Sequence, residues 1–93
     1  MMHTASYTTS AASAKLVTGA GAVLAVHLAA GSDAATAILY DNTEASGTVI
    51  CKLTASAANT ADAFCPAVRL PFSTGLYLAL TGTAPSCTVC YTP

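Results

Sequence analysis

Ninety-three residues are enough for one domain and too few for two separate cores. Charged side chains are 8% of the chain, against about 25% in an ordinary soluble domain, while hydrophobic residues reach 54% and the mean hydropathy is +0.60. Three basic and four acidic side chains, with a net charge of −1, form no basic patch, so nucleic-acid binding has no electrostatic basis.

So little charge leaves little to keep copies of the chain apart. Either the chain belongs in a membrane, or it packs against copies of itself or a larger body. A spanning helix needs about 18 or more consecutive apolar residues. The best window, Ala20–Ala30, is shorter and contains Gly21 and His27. A secretory signal fits no better, because a polar prefix precedes Lys15 and the run after it is interrupted by Thr18, Gly19 and His27.

Met1–Ala14 is rich in Ser, Thr and Ala and cannot bury enough apolar surface to fold alone. Residues 1–14 are expected as an extended N-terminal arm, lying along a neighbour or as an edge strand, with Tyr7 as its anchor. Residues 15–93 are expected as the folded domain. Lys15–Val17 reads as a short strand and Thr18–Gly21 as a turn. Ala22–Leu28 reads as the first long strand, with Leu24, Val26 and Leu28 on one face and Val23, Ala25 and His27 on the other.

Gly31–Asp33 turns the chain into a hairpin whose apolar strands, Ala37–Tyr40 and Thr48–Leu53, flank the polar connection Asp41–Gly47. Asp41 and Asn42 suit a turn by bonding nearby backbone, and Gly47 accepts positive φ. Thr54–Asp62 reads as a loop. Ala63–Leu70 contains Pro66, which makes it an edge strand or an irregular segment, and Pro71 marks another break. Leu76–Thr81 alternates cleanly, with Leu76, Leu78 and Leu80 opposite Tyr77, Ala79 and Thr81. Pro85 lies in the following turn, and Cys87–Tyr91 is the last strand. Short strands at this spacing predict an all-β fold: a single small antiparallel β-sandwich or jelly-roll-like barrel of about 6–8 strands.

The faces opposite the leucines carry Ala25, Ala79, Thr81 and Thr48 where a solvated sheet normally carries Lys, Glu and Arg. Small uncharged faces suit close packing on another protein, since the buried part of an interface is depleted in charge. The candidate contact residues are Tyr7, Val23, Ala25, His27, Tyr77 and Ala79.

Chemistry is harder to find. Cys87 and Cys90 form a C-x-x-C, but in a strand residues three apart face opposite sides and cannot share a zinc ion. Cys51 and Cys65 make no second knuckle, and the default for all four cysteines is burial as small hydrophobes, with disulfides left open. His3 and His27 are too few and isolated for a triad or metal cluster, and His27 reads as a satisfied wall residue. Asp41 and Glu44 share a turn without a pocket to tune them. The Gly19–Gly21 fragment lacks the rest of a phosphate cradle. The chain is expected to be no enzyme and to use no metal, cofactor or small-molecule substrate.

The hairpin Ile38–Ile50, the segment Pro71–Gly82 and the closing Cys87–Thr92 together resemble small β-sandwich virion proteins of tailed bacteriophages, namely those that decorate or cement the head shell and related head-fibre bases. Tyr40-Asp41-Asn42, Ser46-Gly47, Phe72, Gly75-Leu76, Val89 and Tyr91 carry the likeness, which spans Ala22 to Tyr91. It implies a homo-oligomer, often a trimer, made in the host cytoplasm. There it would bridge major capsid protein subunits on the outer surface of the capsid, with no catalytic residues. The cysteines depart from the pattern. A rival reading is a head-fibre or tail-associated receptor or glycan binder, with Tyr7, Tyr40, Tyr77 and Tyr91 as its aromatic stock. A secreted surface-layer or adhesin subunit is a third, and would carry disulfides.

Overall fold

A computed structural model describes residues 6–64 and 70–92. These residues form strands and connections without a helix. In chain order the strands are β1 (Ser6–Ser10), β2 (Ala14–Thr18), β3 (Gly21–Ala29), β4 (Ala35–Asp41), β5 (Thr48–Ala55), β6 (Thr60–Phe64), β7 (Leu70–Phe72), β8 (Gly75–Thr81) and β9 (Ser86–Thr92).

Every pairing is antiparallel and the pairs are nested: β4 with β5, β3 with β6 and β7, β2 with β8, and β1 with β9. Such a ribbon cannot bury one face while flat. It rolls so that β1, β9, β3 and β6 form one sheet, with β7 beside β3, while β2, β8, β4 and β5 form the other. Contacts of β3 with β9 and of β4 with β8 close the two sheets. This is jelly-roll topology, the sandwich that the strand spacing predicts.

The core lies between the sheets and is built from every second side chain. β8 contributes Leu76, Leu78 and Leu80; β4 contributes Ala35, Ala37 and Leu39; β3 contributes Val23, Val26 and Leu28; β9 contributes Cys87 and Val89. The alternation read from Leu76–Thr81 therefore holds. On β3 it slips. Val23 pairs with Tyr91 and Ala25 with Cys90, so Leu24 is the extra residue of a bulge. Before the bulge the inward set is one residue out of step. Val23, expected on the outer face, is fully buried, and Leu24, expected in the core, is only half-buried.

Residues 6–10 take the edge-strand alternative and pair with β9. Two other segments differ from expectation. Thr60–Asp62, expected as loop, opens β6, because the polar side chains there sit on an edge strand where water meets them. Pro71 lies inside β7 opposite Ala22, at a sheet edge that tolerates its missing N–H. The expectation for residues 65–69 lies outside the described residues.

Two turns hold alanine where glycine is at ease. Asn59 N–H bonds Ser56 C=O at 3.0 Å, and Ala58 within that turn has φ 58°. Ala84, between β8 and β9, has φ 51°. The left-handed region costs an L-residue about 1–2 kcal/mol, partly offset by the greater unfolded freedom of glycine. Ala58→Gly and Ala84→Gly should each raise stability by about 0.5–1 kcal/mol in urea unfolding. Gly82→Ala should lower it by about 1 kcal/mol or more, since φ there is 123° and an added Cβ would lie 2.9 Å from the Ala34 carbonyl oxygen. Losses in both alanine-to-glycine variants would contradict these turn geometries.

Candidate functional site

With the inner faces occupied by the core, the surfaces left for recognition are the two outer faces and the two loop-bearing ends. On the β3–β9 sheet, Cys90 and Ala25 are cross-strand neighbours on the outer face, at the register of Tyr7 on β1 and Phe64 on β6. The next outward row is Thr9, Thr88, His27 and Asp62. Thr9 Oγ1 and Thr88 Oγ1 share a hydrogen bond of 2.9 Å, and His27 Nδ1 donates to Asp62 Oδ1. The one acidic group on these two rows is thus answered by a neighbour across the strand pair, and little polarity remains unsatisfied. His27 is a satisfied wall residue, as expected, but on an open wall, with its side chain 51% exposed.

The outer face of the β4–β8 sheet differs. One row across β2, β8, β4 and β5 is Lys15, Tyr77, Tyr40 and Val49; the adjacent row is Ala79, Ile38 and Lys52; Thr81, Thr36 and Thr54 follow. The two tyrosines are direct cross-strand neighbours, a spacing of about 4.5–5.5 Å between Cβ atoms. Val49 is 51% exposed, the one large hydrophobic side chain so open among the described residues. Neither lysine meets a carboxylate there: the one ion pair among the described residues is His27–Asp62. Asp33, Asp41 and Glu44 lie in or beside turns, and Asp62 lies on the other sheet.

The ends are tied by hydrogen bonds. At one, Thr83 Oγ1 donates to Asp33 Oδ2 at 2.6 Å, Ala58 N–H bonds Gly31 C=O at 2.8 Å, and Ser13 Oγ accepts from Leu80 N–H at 2.8 Å. Gly31 permits this packing, since a Cβ there would sit 2.2 Å from the Thr83 carbonyl oxygen. At the other, Asp41 Oδ1 accepts from Ser73 N–H at 3.0 Å and Thr74 N–H at 2.9 Å. Asp41 therefore pins the β7–β8 turn and leaves its own turn to Asn42, whose Oδ1 accepts from Thr43 N–H at 2.8 Å and whose Nδ2 donates to Ser46 C=O at 3.0 Å. These bonds, that from Thr74 foremost, hold the Asp41 carboxyl below its ordinary value of 3.8.

Cys87 points into the core and Cys90 to the outer face, so the C-x-x-C spacing brings no two ligands together. Burial, reinforced by the nearby Cys51, pushes the Cys87 thiol up to about 11. No group of three or more His, Cys, Asp and Glu among the described residues is placed to hold a metal ion. No helix among them is long and apolar enough to cross a membrane. Cys65 lies outside the described residues.

The six candidate contact residues are thereby divided. Ala25 and His27 lie on the outer face of the β3–β9 sheet, and Tyr7 pairs with Cys90 at its β1 edge; Tyr77 and Ala79 lie on the β4–β8 sheet; Val23 is in the core. Tyr40, Ile38, Lys15 and Lys52 join Tyr77 and were missed as a group, because their adjacency depends on strand order and on the bulges at Leu16 and Ile50. What the fold defines is a small jelly-roll sandwich with two unlike faces, one whose His27 and Asp62 are hydrogen-bonded to each other and one that carries two lysines and a tyrosine pair. Comparisons with protein-family models, curated proteins and solved structures find no significant match.

Two outcomes follow from these environments. A carboxyl lowered on folding stabilises the native state above its unfolded pKa, and that contribution is lost as pH falls through the native one. Asp41→Asn should therefore lower the melting temperature at pH 7, with the gap to the native chain closing below pH 3.8; a gap independent of pH would contradict the carboxylate's role. In dilute native protein, iodoacetamide should modify Cys90 and spare Cys87 until the chain unfolds, read by peptide mass spectrometry. Equal modification of both would contradict their opposite facing.

Proposed function

We propose that the chain is a structural virion protein: a capsid decoration, or cement, protein of a tailed bacteriophage that associates with itself and binds the major capsid protein. Its work is adhesion, not catalysis. The observation that carries the reading is the outer face of the β3–β9 sheet, where Cys90, Ala25, Thr9 and Thr88 surround His27, whose ring is hydrogen-bonded to the Asp62 carboxylate. Small uncharged side chains around one internally hydrogen-bonded pair suit the charge-depleted centre of an interface. The jelly-roll topology recurs in viral capsid and lectin domains, which is compatible with the reading without assigning it. The sequence resemblance adds a trimer as the preferred assembly and the outer surface of the head as its place. A small domain held in such a lattice gains stability by mass action.

A second reading, a receptor- or glycan-binding module, draws on one observation: Tyr40 and Tyr77 stand side by side on the other outer face.

Sedimentation across the micromolar range tests the first reading, which expects reversible association to a trimer. Ala25→Glu combined with Thr88→Glu should disperse it, while the melting temperature of the single chain changes little. Retention of the native protein, and not of the variant, on phage heads lacking it would follow. A native chain that stays monomeric at high concentration and fails to bind heads would overturn the proposal.

A further inference from the structure

We infer that the outer face of the β4–β8 sheet is a binding site for an acidic saccharide, one carrying carboxylate groups on its rings; this rests on the glycan-binding reading and gives it a site and a ligand class. Tyr40 and Tyr77 are cross-strand neighbours on this face, placed to offer two rings side by side, with Ile38, Ala79 and the exposed Val49 as their apolar surround. Aromatic rings offer a sugar's C–H faces a flat apolar floor, and the phenol hydroxyls offer hydrogen bonds at its margin.

Charge selects the ligand further. Lys15 and Lys52 are the two cations among the described residues, both exposed, and both on this face. They stand on adjacent rows of β2 and β5, the opposite edges of the sheet, strands three spacings or about 14 Å apart. No carboxylate shares the face, and neither lysine has an ion-pair partner among the described residues. Two cations without a carboxylate between them on the outward rows favour an occupant that brings negative charge. Two lysines also answer only about two phosphates, which gives a nucleic acid strand little hold.

Affinity electrophoresis of the native protein tests the site, with gels containing alginate or polygalacturonate, dextran or amylose, and a parallel titration with poly-dT. The expected result is retardation by the two acidic polymers, weakened by salt, and none by the neutral ones. Tyr40→Ala and Tyr77→Ala should each weaken binding about tenfold. Lys52→Glu, which leaves the ring pair in place, should abolish the preference for acid and serves should a tyrosine variant fail to fold. Retardation by dextran or amylose alone would overturn the acidic specificity and leave a glycan module standing. No retardation by any polysaccharide would overturn both. Binding of poly-dT lost in the same tyrosine variants would overturn the saccharide in favour of single-stranded nucleic acid.

Discussion

The structure depends on one seam, the packing of β8 and β4 in one sheet against β3 and β9 in the other. Leu76, Leu78, Leu28, Val23, Val89 and Cys87 are fully buried there, and Phe72 closes the seam beside them. A domain this size buries only about 60–65% of its extended-chain surface, so its margin is narrow. A leucine lost from such a core costs about 2–5 kcal/mol, a large part of the 5–15 kcal/mol that holds a domain together. Because strands alternate with period two, filling the seam with apolar side chains also decides which residues are left to face outward. The recognition surfaces are by-products of the core.

How legible this is in the sequence depends on whether the alternation runs unbroken. Leu76–Thr81 has no bulge, and its two faces can be read directly. On β3 the bulge at Leu24 exchanges Val23 with its neighbour, and nothing in A-V-L-A-V-H-L marks that step, because every residue there except His27 is apolar. The central hairpin was recognisable from its turn residues. Asp41 nevertheless reaches 32 residues along the chain to Ser73, a contact that only the rolled ribbon creates. Likewise Tyr40 and Tyr77 could be noted as aromatic stock but not as neighbours, since strand order is a tertiary fact.

The same reasoning separates the two outer faces. Low charge pointed to association without saying where. The fold assigns the hydrogen-bonded His27–Asp62 pair to the β3–β9 sheet and Lys15 and Lys52, without an ion-pair partner among the described residues, to the β4–β8 sheet. On the proposed reading one face meets a copy of the chain and the other holds an acidic ligand, and neither role needs a catalytic group.

The claim on which this account turns is that the β3–β9 face is covered when copies meet. Cys90 reports on that face directly, because among the described residues it is the outward-facing thiol. The most direct measurement is the rate of Cys90 alkylation as a function of protein concentration, resolved by peptide. The account predicts a rate that falls as the protein associates, while chemical modification of Tyr40 and Tyr77 proceeds undiminished. A Cys90 rate that stays constant to the highest concentration would contradict it.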